Sequence, residues 1–347
     1  MVYLKSKKWW GEHFEMSKTT SCHLIAYFDI LGYKNIVQNK SLIQGEEVNE
    51  GEIIAAIEDI VKSVSSITND IFGARSAKTY CFSDNFVIAV KVKDGFHMLR
   101  HLEMLVFIIQ LLQKKLILEF GFFIRGSIVK GNLYASKSFI YGDGLIKAYS
   151  IENELAYYPR IVLEYSLFKE VQNLVESCFL QDEIIVSPEE ITEANFFYYA
   201  RWWIFHNEDD ESKRAHLYNY NYKSICFRKD FDNEYFVDFL SELYNQVDET
   251  GIMETVNLYP TDEELDNMTG FNLALWGYCK AVFSAMKNYS NSQDILVKYL
   301  WCCSYINLFC FENNIEQPFT AESIQYDTGI NLKNIKYCDM LKHLIVN

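Results

Sequence analysis

The spacing of apolar and polar positions predicts strands in the first half of the chain and helices towards its end. Residues 22–29 form an apolar, β-rich run that stops at Asp29, where a turn containing glycine follows. From Ile53 to Ile67 the apolar positions recur at helical spacing. Two β-rich arms flank Ser83-Asp84-Asn85, so this segment predicts a hairpin with the aspartate at its tip.

The same signals continue beyond the first hairpin. Residues 99–112 are apolar on nearly every side and predict a buried helix. The segment 120–141 predicts two or three strands, broken at its glycine positions. A helix is expected over 142–153 and a further strand over 160–164. This order of elements predicts an α+β fold with a mainly antiparallel sheet flanked by helices.

The chain divides into three predicted regions. Residues 1–21 are polar and basic around two tryptophans, so we interpret them as an N-terminal arm. The α+β elements and a last predicted hairpin form one domain over 22–245. Residues 246–347 form a helical C-terminal region, because from residue 262 onward the apolar spacing is helical.

Composition limits the classes of protein to which the chain can belong. Half of its 347 residues are apolar and 16% are aromatic, which suffices for a large core and argues against global disorder. A net charge of −15 makes nucleic acid and anionic membranes poor partners. Nine cysteines without a regular spacing, and no apolar signal at the start, indicate free thiols in the cytoplasm. The longest apolar stretches, 104–112 and 299–311, are too short and too polar to span a bilayer.

Two aspartates stand where predicted strands end. Asp29 ends the first strand, and Asp84 lies at the tip of the hairpin. If their strands are neighbours, both carboxylates project from one sheet edge, where hard oxygen ligands suit Mg²⁺ or Mn²⁺ and a nucleotide's phosphates. The turn Ile30-Leu31-Gly32-Tyr33 leads towards a helix, so its backbone N–H groups are candidates for holding phosphate. The alternative is that Asp29 is a helix N-cap and Asp84 a turn former.

Four segments, in the same order along residues 22–165, resemble the motifs of class III nucleotide cyclases. They are Tyr27-Phe28-Asp29-Ile30-Leu31-Gly32-Tyr33, Phe82-Ser83-Asp84, Ser127-Ile128-Val129-Lys130-Gly131 and the helix start from Gly142 to Glu152. The resemblance implies a ferredoxin-like palm in a nucleotide cyclase-like catalytic domain. It implies that Asp29, Asp84 and the Ile30 carbonyl bind two Mn²⁺ or Mg²⁺ ions. It also implies nucleotide contacts from Phe28, Ile30, Leu31, Gly32 and Tyr33.

The chain departs from that family at functional positions. Ile146 and Ser150 stand where the family has its transition-state Asn and Arg, and neither side chain can replace them. Tyr80 and Phe139 stand at the two base-reading positions, where a purine edge requires charged or amide partners. An ordinary adenylyl or guanylyl cyclase is therefore not expected. Arg125 is the candidate replacement cation, with a surface ion pair as the alternative.

A narrower resemblance is to the pyrimidine cyclases of bacterial Pycsar anti-phage systems. It rests on Ala26 to Tyr33, Phe82 to Asp84, Ile124 to Gly131, Ala148-Tyr149 and Tyr158 to Val162. The segment Asp230 to Leu240 and the helix around Lys298-Tyr299-Leu300-Trp301 are also similar, so the resemblance extends over most of the chain. It implies conversion of UTP or CTP to a 3′,5′-cyclic monophosphate and pyrophosphate. It also implies a homodimer with active sites at the interface, and a product that signals to a separate effector in antiviral defence. The bulky Tyr80 narrows the base pocket and favours a one-ring base.

Two alternatives remain open. The first is a degenerate cyclase-like domain that binds nucleotide without turnover, which the residues at Ile146 and Ser150 favour. The second is an interaction protein that acts through its aromatic C-terminal helices. The presence of both Asp29 and Asp84 favours an enzyme over either alternative.

Overall fold

The computed structural model describes residues 19–39, 41–43, 46–47, 49–73, 77–93, 95–136, 139–179, 226–240, 257–268, 270–332 and 335. Most of the predicted N-terminal arm and the predicted boundary at 245/246 lie outside these residues. The division into three regions therefore stays a prediction.

The strands of the described residues form an eight-stranded sheet and a separate two-stranded sheet. They are β1 (Ser21–Ile30), β2 (Ser41–Ile43), β3 (Glu46–Glu47), β4 (Ala77–Phe82), β5 (Asn85–Lys91), β6 (Ile124–Ala135), β7 (Ile140–Tyr141), β8 (Ile161–Leu163), β9 (Cys226–Lys229) and β10 (Tyr235–Asp238). The large sheet has the order β4-β5-β1-β6-β8-β10-β9, with β7 paired to β6. β6 and β8 run parallel and the other neighbours are antiparallel. The predicted α+β fold with a mainly antiparallel sheet is confirmed.

The helices flank this sheet and continue after it. Those in the described residues are α1 (Tyr33–Asn39), α2 (Glu50–Phe72), α3 (Phe96–Phe120), α4 (Asp143–Leu155), α5 (Tyr165–Phe179), α6 (Asp262–Asn267), α7 (Gly270–Asn288), α8 (Gln293–Glu312) and α9 (Ala321–Thr328). The helices predicted over 53–67, 99–112 and 142–153 are present as α2, α3 and α4. α2 begins earlier than its apolar spacing indicates, because Asn49 and Glu52 form a capping box.

β6 is one continuous strand, so the prediction of breaks at its glycines was wrong. A Cβ on Gly126 would lie 2.1 Å from the carbonyl oxygen of Tyr27, and one on Gly131 would lie 2.5 Å from the Cα of Gly144. Glycine inside a strand marks either a break or a close approach of another backbone. Here it marks the close approach of β1 and α4, which brings both elements against β6.

Side chains alternate between the two faces of the sheet and build a core on each. On one face the even-numbered residues of β1 pack with α2 and α3. On the other face Ile25 and Tyr27 pack with Ala148 of α4. Asp29 is two residues beyond Tyr27, so its side chain projects to the α4 face.

Helices α7 and α8 form a third core at the end of the sheet. It contains Leu31, Phe123 and Phe236 together with Tyr278 and Tyr299 of the helices. Among the helices of the described residues, α8 is the one long and apolar enough to cross a membrane by length and composition. However, 67% of that apolar window is buried inside the protein, as in a core helix. The expectation about length concerned residues 299–311 alone, and in the structure this stretch is part of a longer helix of 20 residues.

Candidate active site

The two predicted metal aspartates lie side by side at one edge of the sheet. β1 and β5 are antiparallel neighbours, and Asp29 pairs with Asn85, the residue after Asp84. The amide nitrogen of Ile30 donates a 3.3 Å hydrogen bond to the carbonyl oxygen of Asp84. The structure thus brings Asp29 and Asp84 together as neighbours at strand ends, and Asp29 is not the N-cap of a helix.

The hairpin turn holds Asp84 through its neighbours. Ser83 has a φ of 64°, the left-handed conformation with which β4 reverses into β5. Asn85 donates from Nδ2 to Asp84 Oδ1 at 3.2 Å, and the Tyr27 hydroxyl donates to Asn85 Oδ1 at 2.6 Å. Neither Tyr27 nor Asn85 was predicted to have this role. Their positions carried a signal, because Tyr27 lies two residues before Asp29 and therefore on the same face of the sheet.

Arg125 lies opposite Asp29 on β6 and binds it directly. Arg125 Nε is 3.1 Å from Asp29 Oδ1, and Nη2 is 3.2 Å from Oδ2, so the guanidinium grips the carboxylate through two bonds. The two side chains are only 20% and 17% exposed, so this is not the surface ion pair that sequence left open. The bonds between Arg125 and Asp29 use Nε and Nη2, and Nη1 takes no part in them.

Glu152 of α4 is a third carboxylate in the site. Its Oε1 lies 2.7 Å from Arg125 Nη2, and the residue is 2% exposed. Burial, and then the negative charge of Asp29, raise the pKa of Glu152 to about 7. Burial also raises the pKa of Asp29, against the influence of Arg125. Sequence alone predicted Glu152 only as the end of a helix motif.

The turn after Asp29 is less open to a nucleotide than predicted. The amide nitrogens of Ile30 and Leu31 already donate to the carbonyl oxygens of Asp84 and Phe123. Because each residue has one N–H group, these two cannot also hold phosphate. The side chains of Phe28, Ile30 and Leu31 are buried in the cores. A nucleotide contact by these residues would therefore have to come from their backbone oxygens, and their predicted nucleotide-binding role stays a prediction.

Gly32 and Tyr33 complete the turn. Gly32 has a φ of 81°, and a Cβ there would lie 3.0 Å from the hydroxyl oxygen of Tyr289, the residue after α7. Tyr33 is half-buried against the core beneath α2 and α3. Of the five residues predicted to form the nucleotide loop, Gly32 and Tyr33 are therefore the ones whose surfaces remain partly open.

Tyr80 and Phe139, the predicted base-reading residues, meet at the turn between β6 and β7. Tyr80 is 8% exposed, and its hydroxyl donates to the carbonyl oxygen of Ser136. Ser136 in turn exchanges hydrogen bonds with Phe139, whose ring is 56% exposed. Tyr80 lies on the core side of this turn, and its hydroxyl proton is already hydrogen-bonded to the Ser136 carbonyl oxygen. Phe139 is the one of the pair with ring surface open to a ligand.

Helix α4 directs Ile146 and Ser150 outward, the two positions where the resemblance implies that catalytic residues are replaced. Its buried residues are Gly144, Ala148 and Glu152, whereas Ile146 is 69% exposed and Ser150 is half-buried. The outward direction agrees with a side chain that would meet another molecule. Neither an aliphatic nor a hydroxymethyl side chain can balance phosphate charge there.

The carboxylates suit a hard divalent cation that arrives with its substrate. Among the described residues, no group of three or more His, Cys, Asp and Glu side chains is arranged to hold a metal ion. Mg²⁺ is commonly held by one or two carboxylates, with substrate phosphates completing its shell. Asp29 and Asp84 supply ligands of that number and type. Ile30 can add only its backbone oxygen.

No family model and no curated protein matches the sequence of this chain. Nineteen chains of solved structures resemble part of it, among them the following three. Over 44% of the chain, the adenylyl cyclase CyaB from P. aeruginosa matches with 10% identity, a TM-score of 0.33 and 82% of its own length. The guanylyl cyclase Cya2 matches over 44%, with 11% identity, a TM-score of 0.32 and 78% of its length. The catalytic core of a rhodopsin-guanylyl cyclase with converted specificity, in complex with ATPαS, matches over 44%, with 12% identity, a TM-score of 0.33 and 82% of its length.

Proposed function

We propose that this protein is a metal-dependent nucleotide cyclase that converts UTP or CTP to 3′,5′-cyclic UMP or cyclic CMP and pyrophosphate. The observation that carries the proposal is the pairing of Asp29 and Asp84 at one sheet edge, with the guanidinium of Arg125 beside them. Two hard anionic ligands and a planar cation are the groups with which proteins bind a polyphosphate and balance its charge during phosphoryl transfer.

The proposed reaction joins the substrate's 3′-oxygen to the α-phosphorus and breaks the bond from that phosphorus to the bridging oxygen. Pyrophosphate leaves with the electron pair, and the hydroxyl proton passes to water. Bound Mg²⁺ or Mn²⁺ would lower the pKa of the 3′-hydroxyl and neutralise phosphate charge. Asp29 and Asp84 would hold the two ions, and Arg125 Nη1 would bind phosphate. Glu152 forms an ion pair with Arg125 Nη2, the same nitrogen that binds Asp29, and so helps to hold the guanidinium in place.

The pyrimidine preference is supported by the residues at the base-reading positions. Phe139 offers an exposed ring to a base, whereas the Tyr80 hydroxyl is bound to the Ser136 carbonyl. Neither residue presents the charged or amide group that a purine edge requires. Apolar base pockets discriminate by about 10- to 200-fold, since ratios of about 10⁴-fold require groups of the site that hydrogen-bond the base. We therefore expect ATP and GTP to be poor substrates.

The proposal includes a homodimer with its active sites at the interface. Ile146 and Tyr149 of α4 are 69% and 53% exposed, and Phe139 and Tyr141 beside it in sequence are 56% and 66% exposed. Large apolar side chains exposed on neighbouring elements are typical of a surface that another protein covers. A two-fold dimer would place this surface against the same surface of a second copy.

The proposed biological role follows from the resemblance to Pycsar cyclases. The cyclic product would be a second messenger in antiviral defence, made in the cytoplasm and sensed by a separate effector protein. A nucleotide-binding protein without turnover is the second candidate. It is favoured by one observation, the direct bonding of Asp29 by Arg125, because that bond competes with a metal ion for the carboxylate.

The test is to incubate the purified protein with Mn²⁺ and an equimolar mixture of ATP, GTP, CTP and UTP, and to identify products by mass spectrometry. We expect cyclic UMP or cyclic CMP. Asp29→Asn and Asp84→Asn should each lower turnover by more than about 100-fold, because each removes an anionic ligand. Asp266→Asn is the matched control, since Asp266 is exposed on α6. Nucleotide binding without any product would support the second candidate, and full activity in a folded Asp29→Asn variant would refute the site.

A further inference from the structure

The C-terminal helices bring a second cation to the candidate active site. Lys298 lies on α8, and its charged neighbours include Asp29, Arg125 and Glu152. The positive charge of Lys298 in turn lowers the pKa of Asp29 and of Glu152. Lys298 therefore lies within electrostatic range of three of the four charged groups of the site, Asp84 being the fourth, although α8 is far from them in sequence.

The position of the Lys298 side chain is set by the segment that follows α4. Its Nζ lies 4.9 Å from the centroid of the Tyr157 ring, a cation–π contact. The hydroxyl of Tyr157 donates to the carbonyl oxygen of Asp294, one turn earlier on α8, at 3.2 Å. Tyr158 stacks on Trp301 of the same helix, with ring centroids 5.8 Å apart. These contacts fasten α8 to the end of α4 within one chain.

Lys298 is partly buried and lies near three acidic residues, Asp29, Glu152 and Asp294, but no described residue is within ion-pair distance of it. Within the described part of the chain, its ammonium group forms no ion pair and no hydrogen bond, and Tyr157 is its neighbour. Burial, and then the positive charge of Arg125, lower the pKa of Lys298. A half-buried ammonium is costly unless an anion pairs with it. Asp29 and Glu152 cannot serve this purpose fully, because Arg125 already binds both carboxylates.

We propose that Lys298 binds the polyphosphate of the nucleotide, so that α8 supplies in cis a cation that this chain lacks at Ser150, where the resembling family has an arginine. This inference rests on the proposed function and deepens it. A triphosphate with its metal ions would give Lys298 an anion in direct contact, which none of the described residues provides. Arg125, held by two carboxylates, would then share the phosphate charge with Lys298.

The test measures binding of nucleotides that cannot cyclise. Isothermal titration calorimetry with Mn²⁺ compares 2′,3′-dideoxy-UTP and dideoxy-CTP with UMP and CMP, and adds inorganic tripolyphosphate as a probe without a base. Lys298→Met should weaken binding of the triphosphates and of tripolyphosphate by about 10- to 100-fold, the range for a hydrogen bond to a charged group. Its binding of monophosphates should not change, and Lys298→Arg should retain most of the triphosphate affinity.

Lys280→Met is the matched control. Lys280 also lies on a C-terminal helix with its Nζ over a tyrosine ring, 4.8 Å from the Tyr259 centroid. Its charge, however, is not among those that shift the pKa of Asp29 or Glu152. We expect wild-type binding from this variant. Thermal unfolding of each variant shows whether it is folded, and Lys298→Gln replaces Lys298→Met if the latter is not.

The outcomes separate this inference from the proposed function. If the wild type binds and cyclises nucleotide, and the neutral Lys298 variants keep its ratio of triphosphate to monophosphate affinity, the role of Lys298 is refuted and the cyclase stands. If no nucleotide binds but tripolyphosphate does so through Lys298, the cyclase is refuted and the polyphosphate contact stands. If neither binds to the wild type, both are refuted.

Discussion

The raised pKa of Glu152 makes the stability of this protein depend on pH. The ordinary value for glutamate is 4.5, and burial beside Asp29 raises the pKa of Glu152 to about 7 in the folded protein. Between these values the folded protein keeps a proton that the unfolded chain has lost. The free energy of unfolding therefore falls as the pH rises through this window. At 1.36 kcal/mol for each pH unit, the loss attributable to Glu152 is about 3 kcal/mol.

Glu152→Gln removes this dependence and keeps the shape of the side chain. A glutamine oxygen can still lie in contact with Arg125 Nη2, as Glu152 Oε1 does at 2.7 Å. Below pH 5 both proteins carry a neutral group here, so their stabilities should be similar. At pH 8 only the wild type holds a buried charge at this position. The variant should there be more stable relative to the wild type by about 3 kcal/mol.

Urea unfolding of both proteins at several pH values between 5 and 8 measures this difference. Comparing the two proteins at each pH cancels the titration of groups that they share. Glu154→Gln, an exposed glutamate on the same helix, is the control and should follow the wild type at every pH. A difference between the wild type and Glu152→Gln that stays constant from pH 5 to pH 8 would refute the raised pKa and the burial that explains it.

Two further predictions concern the turn after Asp29 and the proposed dimer. Gly32→Ala should destabilise the protein by about 1–2 kcal/mol or more in urea unfolding, because φ is positive and Tyr289 crowds the new Cβ. It should cost more than Gly329→Ala, which has a φ of 72° in open space, and Tyr289→Phe should remove the excess. Ile146→Glu should shift the protein from dimer to monomer in analytical ultracentrifugation, while Phe311→Glu, at an equally exposed 69%, should not. A wild type that sediments as a monomer would refute the dimer.

The placement of Asp29 and Asp84 was predictable because it depends on local pattern. Each lies where an apolar run ends, and the antiparallel pairing of β1 with β5, which are not consecutive in the chain, brings these two ends together. The alternation along β1 also places Tyr27 on the same face as Asp29. The predicted strand break at Gly126 was wrong because sequence alone cannot distinguish a glycine that breaks a strand from one that allows a neighbouring backbone to approach closely.

Other parts of the site could not be predicted because they depend on contacts between distant segments. Glu152 and Lys298 are separated by most of the chain's second half, and no periodicity relates an α4 carboxylate to an α8 ammonium group. The use of the Leu31 amide by the Phe123 carbonyl was equally hidden. A turn that looks free to bind phosphate in the sequence is occupied in the fold, because backbone N–H groups buried by packing must find a partner.

The contacts after Asp29 make the C-terminal helices part of the site's architecture. The carbonyl of Phe123 accepts the Leu31 amide, and the Phe123 ring packs edge-on against Tyr278 of α7 and Tyr299 of α8, with centroids 5.8 Å and 5.3 Å away. The position of Asp29 therefore depends on side chains more than 240 residues later.

A second set of contacts, around the buried Arg160, also joins the sheet to α8. Arg160, fully buried at the start of β8, binds Asp230 and Asp232 before β10, and Trp301 Nε1 of α8 donates to Asp230 at 2.7 Å. Removing one member of such a buried ionic group typically costs 3–5 kcal/mol, because the remaining charge is left unpaired. Separation of the sheet from the C-terminal helices would expose both this buried ionic group and the third core, which contains Leu31. The sheet and the helices should therefore unfold as one unit, and a change in the packing of α8 should be transmitted to Asp29.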